Sequence, residues 1–229
     1  MGGVSAFGTV FRIEKSASQV AVGELTDIGG PSISVDSLDV TSHNSTDSYR
    51  EFAAGVIDAG EMSLEGNLTQ GNSSLLKDIG DARAVVDIDV EFPRYQDGAS
   101  WKCMYFDMSG ALTAWEPSAP FEDKLSFSGS VKVTGKPALT EEDLYVITFD
   151  VADSVSADDV QGAKITLYSD SARSYQHGKA LTTNVSGQAL FYLRAGTYYY
   201  TVSKDGYTSK DDSITVTVDA TENVSFVST

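Results

Sequence analysis

For chemistry, this 229-residue chain offers two histidines, one cysteine and 33 acidic residues. A nucleophilic hydrolase needs a nucleophile, a base and a third group to orient the base. His43 lies in a run of short polar residues, and His177 in the turn-like Tyr175-Gln176-His177-Gly178, neither beside an evident partner. Both read as surface residues. A carboxylate-pair glycosidase needs two acids set apart from the rest, and no spacing singles out a pair. No glycine-rich phosphate loop precedes a helix. Cys103 alone supports neither an intrachain disulfide nor a cysteine zinc site. The chain is therefore expected not to be an enzyme and to need no cofactor or metal.

The most regular charge pattern is Asp87, Asp89 and Glu91, alternating with Val86, Ile88 and Val90. On a strand the three acids share one face, ~6.5 Å apart. Hard cations want six to eight oxygens converging on one point, and a straight strand spreads them out. A solvated outer face and an anion-repelling wall remain as readings. With 16 basic against 33 acidic residues, the formal charge is -17, and no Lys or Arg cluster offers phosphates a basic face. Avid DNA binding is excluded on that ground. No apolar run approaches the ~20 residues of a membrane helix. The start, MGGVSAFGTVFRIEK, lacks the charged head, apolar core and cleavage site of a signal peptide. The expectation is a soluble protein made in a reducing compartment.

The elements that must carry these residues are mostly strands, because the apolar pattern has period two. Met62, Leu64 and Leu68 alternate with polar residues, as do Leu125, Phe127, Val131 and Val133. One helix is expected over Ser73–Ile79, capped by Asn72 or Ser73 and ended by Gly80, with Leu75, Leu76 and Ile79 as its apolar stripe. Trp101 and Trp115 bracket a stretch that reads as a hairpin around Met108-Ser109-Gly110, and both serve as core or subunit-contact anchors. All five prolines precede residue 138, and the polar stretch 135–142 reads as a linker. That gives two domains, 1–140 with net charge -10 and 141–229 with net charge -7. In the second, short strands separated by Ser186-Gly187, Ala195-Gly196 and Lys204-Asp205-Gly206 make a β-sandwich the natural solution. Tyr198 and Tyr200 should pack inward there, with Tyr199 facing out.

One segment stands apart. Thr41 to Ser48 is eight polar residues in succession, followed by Tyr49-Arg50-Glu51-Phe52-Ala53-Ala54-Gly55-Val56-Ile57. From its pattern it is either a solvated loop or a joint between subunits; loops of this size in compact domains are usually functional or disordered. The run Asp39-Val40-Thr41-Ser42-His43-Asn44-Ser45, then Arg50-Glu51-Phe52-Ala53-Ala54-Gly55, then Glu65-Gly66 resembles the major tail tube proteins of long-tailed, non-contractile bacteriophages. The likeness covers about residues 1–135. It implies an N-terminal two-sheet β-sandwich or barrel with one short α-helix, assembled as stacked hexameric rings around a DNA channel. Residues 141–229 resemble an immunoglobulin-like, carboxypeptidase-regulatory type of β-sandwich, through Leu181 to Phe191, Ala195 to Tyr198 and Val202 to Tyr207.

The tail tube resemblance assigns the 40–60 segment to ring stacking. Thr41, Ser42, His43 and Tyr49 would lie at the inter-ring contact, Arg50 and Glu51 would form ion pairs across it, and Phe52, Val56 and Ile57 would anchor it. Asp36, Asp39, Glu61, Glu65, Asp87, Asp89 and Glu91 would line an acidic lumen that conducts double-stranded DNA without binding it. The implied partners are further copies of the chain, a tail terminator, a tape measure protein and baseplate or tail tip proteins, with no membrane. The implied location is the virion, after assembly in the host cytoplasm. The alternative from another class is an extracellular, adhesin-like binding module of a bacterial surface.

Overall fold

The computed structural model describes residues 6–16 and 18–228. The first five residues, part of the segment read above for a targeting signal, lie outside that description. The fold is mainly β, as the period-two pattern predicts. In chain order the strands are β1 (Val10–Lys15), β2 (Ser18–Ala21), β3 (Leu25–Ile28), β4 (Ser34–Asp39), β5 (Phe52–Asp58) and β6 (Glu61–Asn67). Helix α1 (Gln70–Ala82) follows, then β7 (Val86–Glu91), β8 (Tyr95–Asp97), β9 (Ser100–Ser118) and β10 (Ser126–Asp153). The last six are β11 (Lys164–Tyr168), β12 (Leu181–Thr182), β13 (Gln188–Leu193), β14 (Gly196–Ser203), β15 (Lys210–Val216) and β16 (Ala220–Phe226).

Two compact units form, one from Met1–Gly23, Asp87–Asp107 and Leu139–Thr229, the other from Glu24–Val86 and Met108–Ala138. This division differs from a cut at residue 140. The stretch 135–142, expected as a linker, is the interior of β10. Gly135 sits there at φ +74, a left-handed conformation that kinks the strand without ending it. The hairpin expected around Met108-Ser109-Gly110 is likewise absent: β9 runs unbroken through it, with Met108 and Gly110 buried.

In the second unit, β6 pairs antiparallel with β3 and with the Ser126–Lys132 part of β10. Met62 and Leu64 point inward, and Glu61, Ser63 and Glu65 point out. Leu75, Leu76 and Ile79 of α1 are buried with Phe127 and Val131. The helix starts earlier than expected because Thr69, not Asn72 or Ser73, is its N-cap. Thr69 accepts from the Asn72 backbone N–H, and Asn72 Oδ1 accepts from the Thr69 N–H at 2.8 Å, a closed capping box. Gly80 does not end the helix; Arg83 does, at φ 51. Removing the Thr69 hydroxyl orphans one N–H, so Thr69→Ala is expected to cost ~1 kcal/mol. Thermal unfolding should register this as a fall of about 2–4 °C.

The first unit holds an antiparallel β2–β1–β7 arrangement and a β-sandwich. One sandwich sheet is β13–β10–β16, with β16 parallel to β10; the other is β12–β11–β14–β15. Phe149 meets Phe191 and Tyr200 edge-on at 5.4 and 4.9 Å between centroids. Tyr198 and Tyr200 are buried and Tyr199 is half-buried, as alternation predicts. Tyr200 carries its hydroxyl into this core because it donates to Glu222 at 2.8 Å.

Candidate functional site

Among the described residues, strands β4 and β5 pair with each other alone, as a separate two-stranded ribbon. The 40–60 segment is thus the second half of a long β-hairpin, with residues 40–51 as its tip. Both faces are open: every residue of β4 is exposed, and in β5 only Gly55 is partly covered. Val35 lies opposite Ile57, Leu38 opposite Ala53 and Asp39 opposite Phe52. Pairing and alternation place Val35, Phe52 and Ile57 on one face, across a bulge that falls between Val35 and Ser37. Phe52 is 58% exposed, Val56 77% and Ile57 65%. A lone two-stranded hairpin is marginal in water, and one showing apolar side chains on both faces has left its hydrophobic gain uncollected.

Polar bonds organise the tip. Thr41 Oγ1 accepts from the Glu51 N–H at 3.0 Å, Asp39 Oδ1 accepts from the Thr41 N–H at 2.9 Å, and Ser45 Oγ accepts from the Ser42 N–H at 2.9 Å. Thr41, through its hydroxyl and its N–H, holds the Asp39 carboxyl below its ordinary range. His43 and Tyr49 are exposed on this tip. Arg50 lies 3.8 Å from Asp39 in an exposed pair within the chain, a contact of little energetic weight. Gly60, in the turn that follows, has φ +75, and a Cβ there would stand 2.2 Å from the Ser32 carbonyl oxygen. Only glycine fits where the ribbon leaves the sheet.

The acids expected along one wall fall on three elements. Asp36 and Asp39 belong to the ribbon, while Glu61 and Glu65 face outward on β6, Glu65 opposite Asp27. Asp87, Asp89 and Glu91 share one face of β7, yet they differ in state. Asp87 is exposed, whereas Asp89 is 7% exposed and spends both oxygens on arginines. Its Oδ1 accepts from Arg12 Nη1 at 2.6 Å and its Oδ2 from Arg194 Nη1 at 2.5 Å. Glu91 accepts from Arg12 at 3.0 Å, and Glu142 accepts from Arg194 Nε at 2.9 Å. The row is therefore not three equivalent carboxylates facing water: its middle member is buried and neutralised. Arg12 and Arg194 gave no sequence signal, being 182 positions apart and both outside the stripe.

Burial disfavours charge on both arginines, but the facing carboxylates outweigh it and hold both guanidinium groups above their ordinary range. The cluster borders a polar cavity of about 570 Å³, lined among others by His177, Tyr105 and Tyr198. The Arg194 guanidinium lies 3.7 Å from the centre of the Tyr105 ring, a cation–π stack. His177, expected at the surface without a partner, is half-buried against Arg12. Cys103 is buried, and burial first, then the charge of Glu91, pushes its thiol up to about 12, too high for a nucleophile. Among the described residues no group of three or more His, Cys, Asp or Glu is placed to hold a metal ion. What the second unit offers chemically is an apolar ribbon and the outward-facing carboxylates Glu61 and Glu65.

Comparison with known proteins gives a family match and a set of similar structures. A family model described as "SpaA: Prealbumin-like fold domain" matches residues 146–229, the strands of the sandwich. Among solved structures, a chain from the tail of an empty GTA particle, refined helically with C6 symmetry, is similar over 60% of this chain and 99% of its own. Identity there is 16% and the TM-score 0.50. A chain from the virion of the native gene transfer agent particle covers the same shares at 15% identity and a TM-score of 0.49. One from the baseplate of the anti-feeding prophage covers 61% and 96% at 6% identity and a TM-score of 0.47. No curated protein matches the chain. At these identities the likeness is one of fold.

Proposed function

We propose that the chain is a structural subunit of a phage-type tail tube, built from stacked hexameric rings and located in the virion. The observation that carries this reading is the β4–β5 ribbon, on which Val35, Leu38, Phe52, Val56 and Ile57 are all more than half exposed. Burying each such side chain against a neighbouring copy is worth ~1.5–3 kcal/mol. A head-to-tail contact of this kind closes into a ring or, with a rise along the axis, continues into a filament. The fold likeness to a tail chain of C6 symmetry supports the same reading and a six-membered ring.

In this role the outward acids Glu61, Glu65 and Asp87 face passing DNA, whose phosphates they repel, so that the genome slides without binding. Further partners are the proteins that end, measure and cap such a tube: a terminator, a tape measure and a tail tip. The chain performs no catalysis. The deciding experiment is negative-stain electron microscopy with light scattering over a concentration series of the purified chain. Hollow tubes or stacked rings are expected as concentration rises. A particle that stays monomeric at every concentration, as an adhesin-like module would, overturns the proposal.

A further inference from the structure

The connection between β11 and β12, residues 169–180, forms a strap on the sandwich. Arg173 anchors it, donating from Nε to the Tyr200 carbonyl at 3.3 Å and from Nη2 to the Asp212 carbonyl at 3.2 Å. Asp170 Oδ1 accepts the backbone N–H groups of Ser174 and Tyr175, both at 3.0 Å. Beyond this anchor the strap reaches β1. The Lys15 ammonium lies 5.7 Å from the centre of the Tyr175 ring, and His177 Nε2 lies 3.4 Å from Arg12 Nη2. The imidazole also packs edge-on against Tyr198 at 4.8 Å, and its Nδ1 is 3.5 Å from Ser169 Oγ.

A guanidinium can only donate, so Nε2 must accept and the ring must be neutral. The neighbouring elements bring charges of both signs, with the two arginines nearest the ring. Arg12 on β1 and Arg194 beyond β13 bring positive charge. The acids Asp89 and Glu91 on β7 and Glu142 on β10 are already engaged by those two arginines. Asp87 and Asp107 border the same cavity. An imidazolium here would add a third positive charge beside two guanidinium groups.

We propose that His177 makes the 169–180 strap a proton-sensitive latch, seated on β1 while the imidazole is neutral and released when it takes a proton. Burial, then Arg12 and Arg194, hold the imidazole well below its ordinary value in the closed form. In the open form the ring meets water and regains a pKa of about 6.5. Protons therefore bind the open form preferentially. The latch is firm above about pH 6.5, and its opening equilibrium grows up to about tenfold for each unit below that.

Hydrogen exchange of the full chain at pH 7.5 and 5.5, corrected for intrinsic rates, reads this directly. The expected result is about tenfold more opening of the strap and of β1 at pH 5.5, a window above the ordinary range of the carboxylates. In His177→Gln, whose amide oxygen still accepts from Arg12 but does not titrate, the rise should vanish. Equal opening at the two pH values in the natural chain, or an equal rise in His177→Gln, overturns the latch. Should His177→Gln fold poorly, proton NMR of the natural chain decides, its two imidazole signals assigned with His43→Gln. A His177 signal titrating near 6.5 overturns the proposal, and one that stays neutral well below 6.5 supports it.

Discussion

Phe52→Ala combined with Ile57→Ala is expected to leave a folded, soluble subunit that no longer grows tubes. The two side chains share a face of the β4–β5 ribbon and are 58% and 65% exposed in the single chain. Truncating exposed side chains changes folding stability by less than about 0.5 kcal/mol in most proteins. The same truncation at a subunit contact removes ~1.5–3 kcal/mol per side chain, about ten- to a hundredfold in affinity for each. In the proposed six-membered ring that loss would recur at every hairpin, so stacking would fail before folding does. Val185, 74% exposed in a turn of the sandwich, supplies the control: Val185→Ala should still form tubes. Sedimentation and electron microscopy of the three proteins, with thermal unfolding beside them, separate assembly from stability. Tubes of normal length from the double variant would remove the ribbon from the assembly account.

Local pattern carried the strands well and their endings poorly. Alternation in Met62 to Gly66 and in Ile147 to Val151 marks the buried faces because each side chain's direction depends only on its own position in the pleat. The exposure of the 40–60 segment was partly legible. The eight polar residues 41–48 are exposed as their composition implies, whereas the exposure of Phe52, Val56 and Ile57 is seen only in the fold. Gly135 and Pro137, by contrast, carry turn chemistry, yet β10 passes through them. Met108-Ser109-Gly110 misled in the same way. At the helix start, Thr69 and Asn72 satisfy each other across three residues, which makes Asn72 the third helical residue and not the cap. The state of Asp89 was beyond any local pattern. Its two partners come from β1 and from the β13–β14 turn, brought together only by the tertiary fold.

That burial changes what an alteration of the β7 acids does. As a plain lumen stripe, Asp87, Asp89 and Glu91 would tolerate substitution without effect on folding. In the folded chain, removing the Asp89 carboxylate leaves Arg12, itself 5% exposed, with Glu91 as its remaining ion-pair acid, and deprives Arg194 of its shortest bond. Each arginine keeps an acid, Glu91 for Arg12 and Glu142 for Arg194, so the cost is that of the lost charge-assisted hydrogen bonds, ~1.5–3 kcal/mol. Asp89→Ala is therefore expected to lower the melting temperature by about 3–12 °C. Arg50→Ala, which breaks a pair 76% and 47% exposed at 3.8 Å, should leave it within about 2 °C. Asp87→Ala, at the exposed end of the same row, should behave like Arg50→Ala and leave the ion-pair cluster in place. The contrast between Asp87 and Asp89, two residues apart on one face, isolates burial as the cause. If Asp89→Ala melts with the natural chain, Glu91 and Glu142 hold the two arginines without it, and the Asp89 carboxylate contributes nothing to the stability of this unit.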